Sequence, residues 1–280
     1  MDTSTRNTRT TRTAAAWVKT GIGLVLTAMM LFPLYWMINV SLTQRDAIRS
    51  GGLFPKAFTL DHYQVVLQDQ LPYLGTSLVI GIGTVALTLL VSAPAGYAMS
   101  SLFVPGRRAL NFCLIVAQMV PGVVMALGFY TVYTDLGILD TVPGLIVADS
   151  TIAIPFGVML FSAFMAGIPR DLLHAAAIDG ASHWKTFTQV VLPISRNSAV
   201  TVSLFAFLWA WSDFLFANTL DNGGPLEPIT LGIYAYIGNN NQQWNAIMAT
   251  AVVASVPAAV LLVMAQRYVA AGVTSGAVKD

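Results

Sequence analysis

Residues 174–193 read HAAAIDGASHWKTFTQVVLP, a polar and orderly stretch in a chain that is otherwise mostly apolar. Of the 280 residues, 56% are hydrophobic and only 10% are charged. Because soluble domains carry about 25% charged residues, a chain of this size cannot cover its surface with so few ionic groups. Lipid is therefore the expected solvent for most of the chain, and the polar stretch needs a separate explanation.

A helix needs roughly 20 predominantly apolar residues to cross a bilayer, and six windows of the sequence meet this requirement. They lie at about 18–40, 73–100, 109–134, 145–166, 199–220 and 246–268. The prolines inside several windows are compatible with spanning helices, because neighbouring helices can satisfy the freed backbone groups. The sequence thus predicts an all-α polytopic membrane protein. It comprises an N-terminal tail at 1–17, six transmembrane helices within 18–268, and a C-terminal tail at 269–280.

The distribution of Lys and Arg predicts which side of the membrane each loop faces. With a cytoplasmic N-terminus, 11 of the 14 basic residues lie on the inner side, and only Arg45, Arg49 and Lys56 lie outside. Cytoplasmic loops carry such an excess of basic residues, so both termini are predicted to be cytoplasmic. The outer segments 41–72 and 221–245 combine polar and aromatic residues, which suits docking of a protein or sugar, or an ordinary solvated loop.

The quoted stretch belongs to an inner loop, 167–196, whose local signals predict two short helices joined by a turn. Residues 175–177 are alanines with high helix propensity, and Gly180 suits a left-handed helix stop. Ser182 suits the N-cap of a second helix, which Pro193 ends or kinks. On this pattern alone, the pair is either a docking element or an amphipathic unit that rests on the bilayer.

The same stretch resembles the Glu-Ala-Ala signature of the membrane subunits of bacterial binding-protein-dependent ABC importers. That signature continues through Asp-Gly-Ala and an apolar segment to Leu-Pro. Its matches here are Ala175, Ala176, Asp179, Gly180, Ala181, Phe187, Leu192 and Pro193. WAWSDFLFA at 209–217 resembles a later motif of the family. The ending AGVTSGAVKD is similar to the tail of carbohydrate-uptake permeases such as the smaller membrane subunit of the maltose system.

The resemblance implies a type I ABC importer fold, with the 167–196 loop as a coupling helix that sits in a cleft of a cytoplasmic ATPase. ATPase closure would switch the pathway between inward- and outward-facing states. The implied partners are a second homologous permease subunit forming a heterodimer, two ATPase subunits that bind ATP and Mg, an extracytoplasmic solute-binding protein and a sugar. The implied location is the bacterial inner membrane, and the C-terminal tail is also expected to reach the ATPase.

His174 departs from the family pattern, which has Glu at that position. A neutral histidine can still form hydrogen bonds, but it supplies no constant negative charge. Either the ATPase carries a matching change, or Asp171 or Asp179 carries the contact. A partly exposed helix residue without special chemistry is the plainer interpretation of His174.

Within the predicted spans, Asp213 stands out among the ionisable residues. A carboxylate at that depth is costly in lipid, so it is expected to face the protein interior or a water-filled cavity. With Trp209 and Trp211 nearby, it would suit a sugar, although a structural hydrogen bond to a neighbouring helix is the alternative. Weaker candidates for lining the substrate pathway are Asn39, Gln118, Tyr130 and Asn218.

The sequence offers no catalytic constellation. It has one Glu, Glu227, three histidines in different loops, and no paired carboxylates, metal-spaced cluster or phosphate-binding glycine loop. No catalytic residue, metal site or cofactor is therefore predicted for the chain. The net charge of +1 indicates no nucleic-acid partner, and the single cysteine, Cys113, is expected to pack as a small apolar residue.

Two other function classes compete with an importer subunit. A secondary transporter driven by an ion gradient would use intramembrane acidic relays and inverted repeats. Only one buried acid and no internal repeat are recognised in the sequence. A polytopic membrane enzyme lacks candidate catalytic residues.

Overall fold

The computed structural model describes residues 4–50, 52–220, 227–238 and 244–277, and side chains within 16–48, 52–220, 227–237 and 244–268. Regular secondary structure in these ranges is helical, which confirms the all-α prediction. Their one β-interaction is an isolated bridge between Thr43 and Phe58. Parts of the predicted outer segment 221–245 and the end of the predicted C-terminal tail lie outside the described residues.

The chain divides into two compact units, made of residues 1–68 with 236–253 and residues 69–235 with 254–280. The first begins with α1 (Ser4–Ser41), a 3-10 helix (Arg45–Ser50) and α2 (Asp61–Asp69). The second contains α3 (Leu71–Ser101), α4 (Arg107–Gln118), α5 (Gly122–Leu136), α6 (Val142–Met165), α7 (Arg170–Ile178), α8 (His183–Thr186), a π-helical segment (Phe187–Val191), α9 (Leu192–Ile194), α10 (Arg196–Ser212) and α11 (Leu215–Leu220). Two helices, α12 (Ile229–Gly238) and α13 (Trp244–Ala277), contribute residues to both units.

Four of the six predicted spans are single helices long and apolar enough to cross a membrane. They are Ala16–Ser41, Leu71–Ser101, Val142–Met165 and Trp244–Tyr268. Two bent pairs pass the same test only together, Arg107–Gln118 with Gly122–Leu136 at 95° and His183–Ile194 with Arg196–Ser212 at 78°. The second pair shares only α10 with the predicted fifth window, because His183–Ile194 belongs to the inner loop. The described residues therefore give four spans, or up to six if each bent pair is one span.

The third and fifth predicted windows are not continuous helices. Pro121 occupies the N-cap of α5, and it has no N–H to continue the α4 ladder. In the fifth window, α10 ends at Ser212 and α11 starts afresh at Leu215. A second correction concerns Cys113, which is exposed on α4 rather than packed.

The core of the second unit is the crossing of α3 and α6, where glycines allow very close approach. A Cβ added at Gly96 would lie 2.5 Å from the Phe161 Cβ, and one at Gly157 would lie 2.8 Å from the Ser92 Oγ. Small residues at such crossings let helix backbones pack tightly in membranes. Both helices pack against the inner loop described below, and α6 also lines the cavity through Ile152.

In the first unit, polar contacts hold the segment that follows α1. The Asn39 Nδ2 donates to the Gly52 carbonyl at 3.0 Å, and the Ser41 Oγ lies 2.7 Å from the Tyr63 hydroxyl. Asn245 donates to the Thr43 carbonyl from the start of α13. These bonds give the 41–69 segment a defined conformation.

Candidate functional site

The turn after α7 is a Schellman motif, in which two N–H groups satisfy the last free carbonyls of a helix. Gly180 has φ +75°, its N–H donates to the Ala177 carbonyl at 3.1 Å, and the Ala181 N–H donates to the Ala176 carbonyl at 3.0 Å. The left-handed stop predicted at Gly180 is confirmed. Only glycine adopts this conformation without steric cost, so the residue fixes the angle at which the chain leaves α7.

The second half of the loop starts with the predicted cap. The Ser182 Oγ accepts the Lys185 N–H at 3.2 Å, and α8 begins at His183. A π-helical segment follows, and the helix ends at Ile194, one residue after Pro193, which is exposed. The predicted kink near Pro193 is thus found at Ser195, where the chain turns by 78° into α10.

Phe187 anchors this half of the loop to the spans. Its side chain is buried, and its ring centroid lies 5.3 Å from that of Tyr97 on α3 and 5.4 Å from that of Trp184. A single buried cluster joins Phe187 and Val191 to residues of α3, α6 and α10, namely Ala93, Tyr97, Phe161, Met165 and Val202. The loop is therefore packed directly onto three membrane helices.

The outer face of α7 carries exposed apolar side chains. Ile178 is 85% exposed and Leu172 is 44% exposed. Ala175 lies between them on the exposed surface, while Ala176 is turned inward and Ala181 is partly buried. His174 and Asp179 are exposed beside these apolar residues. Exposed apolar surface bordered by polar groups is characteristic of an interaction site.

A second candidate site is a cavity of about 540 Å³ between α4, α5, α6, α10 and α11. It brings together three of the residues predicted for a substrate pathway, Gln118, Trp209 and Asp213. The Trp209 side chain is half exposed, and Ser212 and Phe214 complete the polar and aromatic part of the wall. Cavities of this size with a few convergent polar groups are typical of small-molecule sites.

Asp213 explains why the fifth window is broken. Its Oδ1 accepts the Phe216 N–H at 3.2 Å, and its Oδ2 accepts the Ala217 N–H at 2.9 Å, so the carboxylate caps α11. The Asp213 carbonyl accepts the Thr230 hydroxyl at 2.7 Å. The residue thus lies at a helix break rather than in the middle of a continuous helix, and it serves a structural role as well as lining the cavity.

The other predicted pathway residues lie elsewhere. Trp211 is buried in a different cluster, where its Nε1 donates to the Ala254 carbonyl at 3.0 Å. Asn218 is exposed on α11, Asn39 holds the segment after α1, and Tyr130 is partly exposed on α5. None of these four side chains lines the 540 Å³ cavity.

Asp149 is a buried acid that sequence reasoning missed. It lies in α6, is 2% exposed, and its Oδ1 accepts no hydrogen bond from any described group. The sequence does contain an indication of this residue, because Asp149 is the one acid in the apolar window 145–166 and acids are unusual in spans.

Another groove of the second unit has a different character. It measures about 1060 Å³ between α3, α10 and α13, and apolar side chains form most of its wall. Such a surface suits a helix or a lipid chain, but it lacks the converging polar groups that a polyol needs. Among the described residues, no cluster of three or more His, Cys, Asp or Glu side chains could hold a metal ion.

Comparison with known proteins assigns this architecture to a family. Residues 89–275 match the family model described as "Binding-protein-dependent transport system inner membrane component". The trehalose transport system permease protein SugB of Mycobacterium tuberculosis is 31% identical over 89% of this chain and 92% of its own length. The trehalose/maltose transport system permease protein MalG of Thermococcus litoralis is 28% identical over 92% and 95%. The sulfoquinovosyl glycerol transport system permease protein SmoH of Agrobacterium fabrum is 31% identical over 89% of each chain.

Solved structures give the same fold. A bacterial ABC transporter involved in the import of the acidic polysaccharide alginate matches with a TM-score of 0.76 at 19% identity, over 96% of this chain and 99% of that one. An inward-facing MetNI methionine ABC transporter matches with a TM-score of 0.58 at 14% identity, over 77% and 99%. The predicted type I ABC importer fold is confirmed, and the chain belongs to the family of binding-protein-dependent transport system inner membrane components.

Proposed function

We propose that this chain is the transmembrane permease subunit of an ATP-driven sugar importer and forms half of its translocation pathway. The family match supports an importer over a secondary transporter driven by an ion gradient. Relatives named for trehalose, for trehalose/maltose and for sulfoquinovosyl glycerol support a saccharide as the transported solute. A second homologous permease subunit would form the other half, and an extracytoplasmic solute-binding protein would deliver the sugar.

The exposed apolar face of α7 is the observation that carries the coupling role. Ile178 extends almost fully into solvent at the end of a helix whose direction is fixed by Gly180. A cleft on a cytoplasmic ATPase subunit would bury this side chain together with Leu172 and Ala175. Burial of a large aliphatic side chain contributes about 1.5–3 kcal/mol, so one such residue matters to the affinity of the complex.

Phe187 and Val191 would pass the motion of the ATPase to the spans. Because they share one buried cluster with α3, α6 and α10, a shift of the loop displaces all three helices together. Packed interiors have low compressibility and transmit displacement rather than absorb it. Closure of the two ATPase subunits on ATP and Mg would thereby alternate the access of the pathway between the two sides of the membrane.

The 540 Å³ cavity is the proposed sugar-binding part of this chain. The face of Trp209 would stack on a pyranose ring, and Gln118, Ser212 and Asp213 would exchange hydrogen bonds with hydroxyl groups. The outer segments would contact the solute-binding protein. Both termini would lie in the cytoplasm of a cell whose inner membrane holds the complex, in agreement with the distribution of Lys and Arg.

Co-purification tests the proposed function directly. The chain, tagged and expressed with the ATPase and permease subunits of its own system, is expected to yield a stable complex whose ATP hydrolysis rises with loaded solute-binding protein. Ile178→Asp should reduce the amount of ATPase subunit that co-purifies with the chain, whereas Phe54→Asp, which alters a similarly exposed apolar side chain in the outer segment, should not. A chain that purifies without any ATPase subunit and transports sugar on an ion gradient would overturn the proposal.

A further inference from the structure

The 540 Å³ cavity carries a one-sided charge distribution. Among the described residues that line it, Asp213 is the one ionisable group, and no Lys, Arg or His side chain faces it. Its remaining polar groups are neutral, namely Gln118, Ser212 and the indole of Trp209. Any solute that enters therefore meets negative charge from this chain without a compensating cation.

The hydrogen bonds of Asp213 favour that negative charge. The Asp213 carboxylate is held by the Phe216 and Ala217 N–H groups at the start of α11, and hydrogen bonds from donors favour the ionised form of a carboxyl group.

Family membership leaves the charge of the transported solute open. One relative is named for trehalose, and one structural neighbour is described as an importer of the acidic polysaccharide alginate. A binding site specific for an acidic sugar needs Arg or Lys against the carboxylate or sulfonate. The wall of this cavity instead pairs an acid with the aromatic side chains of Trp209, Phe214 and Phe216, which suits the apolar face and hydroxyl edge of an uncharged sugar.

We infer that this cavity selects solutes by charge, admitting uncharged saccharides and excluding those with a carboxylate, sulfonate or phosphate group. The inference deepens the proposed function and depends on it, since it names the class of sugar that the pathway accepts. Asp213 is then both the cap of α11 and the determinant of charge specificity in this half of the pathway.

The cavity can be tested with thiol reagents that differ only in charge. In the assembled transporter with Cys113→Ser, the variant Ser212→Cys places a single thiol of this chain in the exposed wall beside Asp213. The probes are three methanethiosulfonates that carry trimethylammonium, hydroxyethyl or sulfonate groups. Each rate is divided by the rate of the same reagent with a free thiol in solution, which removes intrinsic reactivity.

We expect the corrected rate of the cationic reagent to exceed that of the anionic reagent by about tenfold or more. The interaction energy of two unit charges several ångströms apart in a protein is large enough to produce a ratio of that size. Adding Asp213→Asn, which keeps the size of the side chain, should bring the corrected rates of the two charged reagents close to that of the neutral reagent. Equal corrected rates, a ratio that Asp213→Asn leaves unchanged, or a thiol that no reagent reaches would overturn the inference. The ATPase co-purification described above reports separately on the proposed function.

Discussion

Replacement of Gly180 by alanine isolates the contribution of the turn after α7. The residue has φ +75°, and an added Cβ would meet no atom within 4 Å, so the substitution introduces backbone strain without a steric clash. A left-handed conformation costs a non-glycine residue roughly 1–2 kcal/mol, which corresponds to about a 5–30-fold change in an equilibrium. If the ATPase binds only the native turn, its apparent affinity should fall by that factor.

Gly137 provides a matched control. It ends α5 with φ +67°, a Cβ there would also lie in open space, and its N–H donates to the Thr134 carbonyl at 3.3 Å. Gly137→Ala thus carries the same strain in a segment that is predicted to face the opposite side of the membrane. Loss of global stability should be similar in the two variants.

The assay titrates purified ATPase subunits against the reconstituted permease pair and records ATP hydrolysis stimulated by loaded solute-binding protein. Gly180→Ala should raise the half-maximal ATPase concentration by about 5–30-fold, and Gly180→Pro, which cannot adopt positive φ and removes the N–H donor, should abolish stimulation. Gly137→Ala should leave the half-maximal concentration unchanged. If the two alanine variants shift it equally, or if Gly180→Pro couples normally, the turn does not serve ATPase coupling.

Three further predictions concern other residues of the chain. His174→Glu should leave stimulated ATP hydrolysis largely intact, because His174 is exposed beside Asp179; a loss of more than about tenfold would show that the histidine itself makes a required contact. Phe187→Ala should lower the stability of the folded chain by about 3–5 kcal/mol and uncouple ATP hydrolysis from transport. Phe103→Ala, at a 94% exposed position, should change neither the melting temperature nor the coupling. Equal effects of the two variants would contradict the anchoring role of Phe187. Burial lowers the pKa of His62, with Asp61 raising it and Arg45 lowering it by smaller amounts. Since the folded state disfavours the charged ring, the stability of the 41–69 segment should be complete above about pH 6.5 and fall below it. Hydrogen exchange at pH 8 and pH 5.5 measures this change, which His62→Gln should remove and His183→Gln should not.

Local signals predicted the inner loop well, because its conformation is decided within a few residues. Gly180 and Ser182 perform the helix stop and the N-cap that their chemistry favours, and the pair of short helices follows from them. No long-range contact was needed to infer these features. Hydropathy windows likewise located six regions of apolar sequence, since length and composition suffice for that purpose.

The breaks inside two of those regions could not be read from window averages. Pro121 was a visible signal, but prolines also occur in continuous spanning helices, and the sequence does not say which case applies. The break after Ser212 depends on the Asp213 carboxylate capping a new helix, together with the contact from Thr230 far along the chain. The cap is local, but the bond from Thr230 joins residues 17 apart and depends on the fold.

The candidate cavity was predicted only in part, because the sequence does not show which way each side chain of a span points. A helix that is apolar on all sides gives no periodic signal for the direction of each side chain. Trp209 lines the cavity, whereas Trp211, two residues later, turns into the core and bonds to Ala254. Asp149 was overlooked because the mean hydropathy of a window rich in aliphatic residues hardly changes with one acid. A single acid inside a span is nevertheless a sign of a functional or buried polar site.

The central claim is that the exposed face of α7 docks on an ATPase subunit. A photoactivatable crosslinker attached to Ile178→Cys, in a Cys113→Ser chain within the assembled transporter, tests it most directly. The predicted result is a covalent adduct with the ATPase subunit whose yield changes when ATP closes the ATPase pair, and no such adduct from the same probe at Phe54→Cys. Adducts of the Ile178 probe with lipid alone, in every nucleotide state, would contradict the account.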